Sequence, residues 1–362
     1  MGFLASQAFA CFCLLLATGA NAAKPVQIKV VGLDDINVDR QAIQAAIDSA
    51  PGQKLTVKLR GTFQLDGTDI QITRSDLTIK GTGKRPTLNG LVDGTTGFPV
   101  IDNTPPIRFE GNRGFVMGRS GSVENIEIKN LTLTGMRTAI FADGVSNPVD
   151  NVSIKNNTIR NVIFGVSANR VSDIEIKNNH ISDAFEDGVF FQFGVTGAAI
   201  KGNFVSVSDD RPGSVAPAPV QLNDTLIDID VSNNTFQGGA AVLLLWGTAT
   251  NVVVTENCIR DGGTQGLDFY HAGGIWVGDP FFTGLTGSDF VIENNSYANN
   301  TWSLFDVTPE SRDIWLTSLA EDNAILESGG TVVVDEGTNN SVVFHGDGDP
   351  GFCDDKKKGK KK

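Results

Sequence analysis

Reactive and cationic side chains are scarce in this sequence. Its 362 residues include only 3 His, 4 Cys and 2 Tyr. The His and Cys residues are too few and too scattered to give the spacing of a zinc site. Acidic residues outnumber basic ones by 42 to 29, which gives a formal net charge of −13. Because such a surface repels polyanions of high charge density, we expect no nucleic-acid partner.

Long apolar runs are also missing. The one apolar stretch, "MGFLASQAFACFCLLLATGANA" at residues 1–22, is interrupted by Ser6, Gln7 and Gly19. It lacks the ~18 continuous apolar residues of a membrane span. It ends in Ala-Asn-Ala, a small-x-small pattern that is typical of a cleavage site. We therefore expect a signal peptide at 1–22, no membrane span, and a secreted or periplasmic protein.

Removal of the signal leaves only Cys258 and Cys353. In an oxidising compartment these two residues are expected to form one disulfide. Residues 353–362 contain "KKKGKKK", which predicts a basic disordered tail. Residues 23–352 are expected to form a single elongated domain, which we predict to be monomeric.

The most prominent feature that is present is a repeat. "NVSIKNNTIRN" at 151–161 is followed by "DIEIKNNHISD" at 173–183. The second Asn of this phrase recurs at intervals of 22, 24, 31, 23 and 38 residues, as Asn157, Asn179, Asn203, Asn234, Asn257 and Asn295. Apolar residues alternate with period two around it, which indicates strands. Coils of ~22 residues with three short strands predict a right-handed parallel β-solenoid.

The repeated Asn has a physical role in such a solenoid. Strands of neighbouring coils are ~4.8 Å apart, so each buried side-chain amide can bond to the amide of the next coil. At the N-terminal end, residues 39–52 place Ile43, Ala46 and Ile47 at helical spacing. This pattern predicts an amphipathic helix that covers the unpaired edge of the first coil. "TVVVDEG" and "SVVFHG" are expected to hold the last strands.

The segments "QAIQAAIDSAPG", "TVKLRGTFQL", "LTIKGTG" and the repeated "NNTI" phrases resemble the pectate-lyase-like superfamily of right-handed parallel β-helix proteins, over residues 35–345. The resemblance implies an all-β solenoid with a short N-terminal capping helix and a polysaccharide as substrate or ligand. The superfamily includes polysaccharide lyases, glycoside hydrolases, mannuronan epimerases and phage tailspikes. The fold alone therefore selects no activity.

The resemblance also implies that the site lies on the strand after each Asn-bearing pair. Alternation along these strands predicts outward side chains that could bind a substrate, namely Phe141, Ser167, Phe190, Gln221, Leu243 and Trp276. Outward aromatic rings in this position are either a surface for stacking on sugars or buried beneath long loops. The sequence leaves both alternatives open.

The loop "DGGTQGLDFYHAGG" at 261–274 carries the densest set of reactive groups. A lyase or epimerase acting on a uronate needs a base, an acid and a group that neutralises the developing negative charge. We predict His271 as base, Tyr270 as acid and Arg260 as neutraliser, with Asp268 beside them. The segment resembles the Asp-Pro-His signature of mannuronan epimerases, but it has one residue more between Asp268 and His271. Ca²⁺ is an alternative neutraliser, with Asp209 and Asp210 as its candidate ligands.

Two other functions fit the sequence. A glycoside hydrolase would need two carboxylates across the scissile bond, for which the candidates are Asp183, Glu186, Asp187, Asp209 and Asp210. The Gly-His-Gly and Arg-Ile-Lys elements of polygalacturonases are absent from the sequence. A non-catalytic carbohydrate-binding or adhesin solenoid is the other alternative, and it is favoured by the lack of a strong catalytic motif.

A basic row is also expected. Lysines follow the inward Ile of successive coils, as Lys80, Lys129, Lys155, Lys177 and Lys201. They should stack at one outward position. Such a row either is a solvated ladder that protects the sheet or binds a polyanionic chain, in which case Lys155 and Lys177 would contact the substrate.

Overall fold

The computed structural model describes residues 24–100, 111–208, 217–263, 270–280, 283–304, 310–346 and 353. It contains one helix, α1 (Asp39–Asp48). The first fifteen strands are β1 (Val26–Val31), β2 (Leu55–Arg60), β3 (Thr62–Gln64), β4 (Ile70–Ile72), β5 (Leu77–Gly81), β6 (Thr87–Asn89), β7 (Arg113–Met117), β8 (Val123–Lys129), β9 (Thr132–Asp143), β10 (Val149–Lys155), β11 (Thr158–Asn169), β12 (Ser172–Lys177), β13 (His180–Ala184), β14 (Asp187–Gln192) and β15 (Val195–Lys201).

The remaining strands are β16 (Phe204–Val207), β17 (Ala218–Ser232), β18 (Thr235–Gln237), β19 (Ala241–Thr255), β20 (Cys258–Arg260), β21 (Tyr270–Val277), β22 (Gly287–Glu293), β23 (Ser296–Ala298), β24 (Thr301–Leu304), β25 (Glu310–Ser311), β26 (Ile314–Leu316), β27 (Ala320–Glu321), β28 (Ala324–Ser328), β29 (Val333–Asp335) and β30 (Ser341–His345). Among the described residues no helix is long and apolar enough to cross a membrane.

The strands stack in parallel on three faces of one solenoid. Face A has the order β1, β2, β5, β8, β10, β12, β15, β17, β19, β22, β28, β30. Face B has the order β3, β6, β9, β11, β13, β16, β18, β20, β23, and face C the order β4, β7, β9, β11, β14, β17, β19, β21, β26, β29. The long strands β9, β11, β17 and β19 each bend through two faces. The predicted right-handed parallel β-helix is confirmed.

Apolar side chains at alternate positions fill the interior of the solenoid. The inward Ile of face A stacks from coil to coil and is fully buried at Ile79, Ile128, Ile154, Ile176 and Ile200. Each coil buries its apolar side chains against its neighbours, so the period-two pattern produces one continuous core.

The predicted asparagine ladder is present at the turn between faces A and B. Each Nδ2 donates a hydrogen bond to Oδ1 of the next Asn at 2.9–3.1 Å, from Asn157 to Asn179, Asn203, Asn234, Asn257 and Asn295. The same Nδ2 also donates to a backbone carbonyl, as from Asn203 to Ile176 O at 2.8 Å. The ladder thereby satisfies polar groups that would otherwise be buried without partners.

The ladder ends on a different residue. Asn295 Nδ2 donates to Glu327 Oε1 at 2.8 Å, and the backbone N–H of Asn295 donates to Oε2 at 2.9 Å. The hydroxyl of Tyr297 donates to Oε1 at 2.9 Å. Glu327 is fully buried, and burial raises its pKa to about 7.

The N-terminal end of the solenoid is covered as the sequence predicts, with one additional strand. Ile43 and Ile47 of α1 are fully buried, so the capping helix is confirmed. Strand β1 precedes this helix and pairs in parallel with β2, which the repeat pattern did not indicate. Cys258 and Cys353 form the expected disulfide, with their Cα atoms 4.8 Å apart. The bond attaches residue 353 to the coil of β20, and the rest of the predicted tail lies outside the described residues.

Candidate functional site

One row of outward positions runs the length of face C. Its members pair in register from coil to coil, as Phe141, Ser167, Phe190, Gln221, Leu244, Trp276 and Trp315. The prediction that Leu243 points outward is wrong. Leu243 pairs with the inward Val220 and is fully buried in the core, because β19 is shifted by one residue from the expected alternation.

The N-terminal half of this row opens into a groove of about 270 Å³. We call it the arginine–phenylalanine groove. It is lined by Arg113, Arg119, Arg137, Thr138, Phe141, Phe164, Ser167, Asn169, Phe190 and Gln192. Strands β7, β9, β11 and β14 provide most of these residues. The described lining contains three arginines and no acidic residue, and carboxylates outside this lining pair with two of the arginines.

Two phenylalanines form the aromatic part of the groove. Phe164 and Phe190 are half-buried, and their rings stack with centroids 5.8 Å apart at an angle of 30°. Phe141 is only 9% exposed. The guanidinium carbons of Arg113 and Arg119 lie 5.3 and 5.4 Å from the centre of its ring. Phe141 therefore holds the two arginines in place, and Phe164 and Phe190 present ring surface to the groove.

The arginines are oriented by carboxylates at the edge of the groove. Arg113 is buried and its Nη2 lies 2.6 Å from Asp69 Oδ2. The Nε of Arg119 lies 3.1 Å from Asp143 Oδ2, and the Arg119 side chain is about one-third exposed. Arg137 is nearly buried as well. Guanidinium groups held in this way can bind further carboxylates in a planar, two-point manner.

A buried carboxyl lies beside the groove. The pairing of Val166 with Val189 places Asp187 in the same row as Phe164. Asp187 is only 4% exposed, and burial, reinforced by the charge of Glu186, raises its pKa well above the usual range. With its side-chain amide oriented so that the nitrogen faces Asp187, Gln221 has this nitrogen 3.3 Å from both carboxyl oxygens of Asp187. Asp187 is therefore a candidate acid, because its raised pKa favours the protonated carboxyl.

The C-terminal half of the row is closed. Trp276 is fully buried, and its ring centre lies 4.9 Å from that of Trp246 and 5.5 Å from that of Trp315. Leu285 and Val334 pack against this tryptophan cluster. The prediction that Trp276 stacks on a sugar is therefore wrong for this structure, because neighbouring rings cover it. The sequence left open whether the outward aromatic rings form a stacking surface or are buried, and the Trp276 ring is buried.

The predicted catalytic residues lie away from the groove. Tyr270 and His271 begin β21, and their backbones pair in antiparallel fashion with Leu304 and Ser303 of β24. On face C, β21 is three strands beyond β14, which corresponds to about 14 Å. Arg260 lies on face B, where its Nη2 donates to Gln237 Oε1 at 3.2 Å. The roles assigned to His271, Tyr270 and Arg260 stay predictions.

Three further predicted residues are not covered by the structure. Asp268, Asp209 and Asp210 lie outside the described residues, so the catalytic role of the first and the Ca²⁺ role of the other two stay predictions. Within the part of the chain that the structure describes, no three His, Cys, Asp or Glu side chains are grouped as metal ligands would be.

The lysine row is present, but on another face. Lys155 and Lys177 pair in register on face A. Their Nζ atoms lie 2.5 and 3.8 Å from the carboxylate of Glu175. They are therefore not part of the arginine–phenylalanine groove, which lies on face C.

Residues 113–278 match the family model of the right-handed β-helix region. With the strand topology, this match shows that the chain folds as a right-handed parallel β-helix. It is similar to the crystal structure of an alginate lyase from Paenibacillus sp. str. FPU-7, with a TM-score of 0.59 and 15% identity over 88% of this chain and 98% of that one. No curated protein matches the chain at the level of sequence.

Two further structures share the β-helix fold. DFA-IIIase from Arthrobacter chlorophenolicus A6, in complex with DFA-III, has a TM-score of 0.51 and 16% identity over 84% of this chain and 78% of that one. A mutant tailspike protein of E. coli bacteriophage HK620, in complex with a pentasaccharide, has a TM-score of 0.52 and 14% identity over 83% of this chain and 56% of that one. At these identities the likeness concerns the fold.

The repeat pattern could not indicate the groove arginines. Arg113 is the first residue of β7, Arg119 lies in the turn after β7, and Arg137 lies at the bend of β9. None of them occupies the repeated phrase. Only Arg137 lies close to the outward Phe141 in the sequence. Arg113 and Arg119 reach Phe141 through the pairing of β7 with β9, for which the sequence holds no signal.

Proposed function

We propose that this β-helix protein is carbohydrate-active and that an acidic polysaccharide, a polymer of uronate sugars, binds in the arginine–phenylalanine groove. The observation that carries the proposal is the convergence of three arginines with the stacked Phe164 and Phe190 in one cleft. Phenylalanine rings provide apolar surface for the faces of sugar rings. Arginines provide paired donors for carboxylates.

The comparisons support the carbohydrate part of this proposal. The alginate lyase, the DFA-IIIase in complex with DFA-III and the tailspike in complex with a pentasaccharide are all named for carbohydrate chemistry or carbohydrate ligands. The charge of the groove supports the acidic part. Its described lining holds three arginines and no carboxylate, so the groups that face a ligand in the groove are donors suited to an anion.

For the reaction we propose a lyase or epimerase. Both reactions begin with removal of the proton next to the uronate carboxylate, and both need that carboxylate to be neutralised as charge develops on it. The groove arginines would serve as neutralisers here, in place of Arg260. His271 and Tyr270 stay candidates for base and acid, because a glycan that extends along face C from the groove would pass the coil of β21. We further propose that residues 1–22 direct the protein out of the cytoplasm.

One observation favours a glycoside hydrolase as the second candidate. Glycosidases use a carboxylic acid with a raised pKa to protonate the leaving oxygen. Asp187 has such a pKa because it is buried, and it lies in the row next to Phe164. The products distinguish the reactions. A lyase generates an absorbing unsaturated uronate, a hydrolase generates new reducing ends without that absorbance, and an epimerase incorporates solvent deuterium without cleavage.

The binding proposal can be tested by calorimetry with uronate oligosaccharides and neutral oligosaccharides of equal length. Arg119→Gln should weaken uronate binding by about 10- to 100-fold, since a hydrogen bond to a charged group contributes roughly 1.5–3 kcal/mol. Arg160→Gln is the matched control, because Arg160 is an exposed arginine on face B of β11. Equal affinities for uronate and neutral sugars, or equal losses in both variants, would contradict the proposal. Binding without any turnover would make the non-catalytic solenoid the better description.

A further inference from the structure

The lysine row on face A is longer than the repeat alone indicates. Strand register places seven lysines at one position in seven successive coils, as Lys29, Lys58, Lys80, Lys129, Lys155, Lys177 and Lys201. Neighbouring members are separated by about 4.8 Å, the spacing of adjacent strands. The row is therefore a straight line of cations parallel to the axis of the solenoid.

The C-terminal part of the row is neutralised by its neighbours. Lys129 Nζ lies 2.6 Å from Glu127, Lys155 and Lys177 share Glu175, and Lys201 Nζ lies 2.6 Å from Asp230. Each acid lies at the outward position two residues before the row. Glu127 precedes Lys129 and Glu175 precedes Lys177 in this way, and Asp230 precedes Ser232, the register partner of Lys201. The four lysines of this part thus have acidic partners on the same face.

The N-terminal part has no such partners. The equivalent positions two residues before Lys29, Lys58 and Lys80 carry Gln27, Thr56 and Thr78. The Nζ of Lys58 donates to the amide oxygen of Gln27 at 2.6 Å, which leaves its charge uncompensated. Among the described residues no carboxylate lies within ion-pair distance of these three lysines.

A fourth cation, Arg60, lies beside this part of the row. Arg60 follows Lys58 by two residues on β2 and is exposed, and it too has no ion pair within the described ranges. Its register partner on β1 is Val31, which is 49% exposed. Lys29, Lys58, Lys80 and Arg60 together form what we call the acid-free patch. Like charges at strand spacing repel each other, so a patch without acidic partners lowers its energy by binding an anion.

We propose that the acid-free patch is a second binding surface, separate from the arginine–phenylalanine groove, and that it takes an extended acidic polysaccharide. The three lysines of the patch offer one cation per coil in a straight line, with Arg60 beside them. A uronate chain offers one carboxylate per sugar in a straight line. The strand spacing is close to the length of one sugar in an extended glycan, so successive carboxylates can meet successive coils. Because the patch is on face A and the groove on face C, one long polymer or two polymers could occupy both.

The test compares two triple variants that each remove three positive charges from the same row. Lys29→Gln/Lys58→Gln/Lys80→Gln removes unpaired lysines, and Lys129→Gln/Lys155→Gln/Lys177→Gln removes paired ones. Binding of each protein to immobilised polygalacturonate is measured over a series of salt concentrations. The first variant should lose about 10-fold or more in affinity and show a shallower dependence on salt, because fewer counterions are released on binding. The second should change by less than about 3-fold, because each lost cation is already compensated by an acid.

Two controls keep the outcome interpretable. Melting temperatures show whether each variant is folded, and the single change Lys58→Gln replaces the first triple variant if that one fails to fold. Short uronate oligosaccharides report on the groove alone, so Arg119→Gln should weaken their binding and the first triple variant should not. Failure of the groove proposal and failure of the patch proposal are therefore distinguishable.

Three results would overturn the proposal. Equal losses in the two triple variants would show that the row acts only through its total charge. Unchanged binding in the first variant would show that the acid-free patch does not contact the polymer. Tighter binding of duplex DNA than of polygalacturonate, lost in the first variant, would show that the patch serves a different polyanion.

Discussion

The two halves of face C differ although one register runs through both. In the N-terminal half, the outward row consists of Phe141, Ser167, Phe190 and Gln221 and borders an open groove. In the C-terminal half it consists of Leu244, Trp276 and Trp315, which are buried. The difference shows that outward positions on this face line an open groove only where no neighbouring indole rings pack over them. Arginines held by carboxylates keep the first half polar and open, whereas stacked indole rings close the second.

The largest expected effect tests the closed half. Trp276→Ala removes a fully buried indole that packs between two others. Such truncations cost about 3–5 kcal/mol in the free energy of unfolding, which denaturant titration measures. Phe190→Ala in the open half should cost clearly less, because Phe190 is half-buried. Similar losses at both positions would remove the contrast between the halves.

The ladder variant should rank next, and it tests a feature that the two halves share. Asn203→Leu removes the side-chain acceptor of the backbone N–H of Asn179. It also removes one of the two bonds made by Asn179 Nδ2 and one of the two made by Asn234 Oδ1. Each buried polar group left unpaired costs roughly 1–3 kcal/mol. Unfolding followed by circular dichroism gives the difference from the unmodified chain, and a loss below that of one unpaired group would contradict the role of the ladder.

The pH dependence of the free energy of unfolding should report on Glu327, the residue on which the asparagine ladder ends. Burial raises the pKa of Glu327 from 4.5 to about 7 in the folded chain. Its contribution to stability is therefore fully present below pH 4.5 and is lost as the pH rises through 7, at up to about 1.4 kcal/mol per pH unit. Glu327→Gln should remove this slope, because an amide does not titrate. The free energy of unfolding measured from pH 4 to 8 for both proteins checks it, and identical slopes would contradict it.

The smallest effect is expected on face A. Lys155→Ala removes one surface ion pair with Glu175, whose side chain is about one-third exposed. Exposed pairs contribute about 0–1 kcal/mol, so the melting temperature should change little. This variant is the reference for Asn203→Leu, which changes a residue two coils further along the solenoid. A loss as large as that of the asparagine variant would show that the row stabilises the sheet.

The sequence predicts the periodic parts of the structure well. The ladder from Asn157 to Asn295, the inward isoleucines and the capping helix all follow from repeated spacing, because each coil satisfies its polar groups and buries its apolar side chains through its neighbours. The disulfide follows from there being only two cysteines after the predicted signal peptide. The lysine row follows from the same spacing, although its extension to Lys29 and Lys58 became visible only through strand register.

The site was harder to predict, because the features that define it are not periodic. The burial of Trp276 depends on Trp246 and Trp315, which come from other coils. The shift at Leu243 depends on where β19 begins, and one residue of shift reverses every side chain. The groove arginines come from strand ends, a turn and a bend. The orientation of Arg113 depends on Asp69 and that of Arg119 on Asp143, and each of these carboxylates is distant in sequence from its arginine. The alternation of apolar residues in the sequence indicates which way a side chain points, whereas packing between coils determines whether that side chain is exposed.

The most direct test of the central claim is hydrogen–deuterium exchange of the whole protein with and without a saturating short uronate oligosaccharide, which reports on the groove and not on the acid-free patch. We expect slower exchange confined to the backbone amides of β7, β9, β11 and β14, which carry the arginine–phenylalanine groove, and unchanged exchange in β19 and β26, which carry most of the tryptophan cluster. Slower exchange in β19 and β26 with no change at the groove would show that the closed half is where the ligand binds, and would contradict the account.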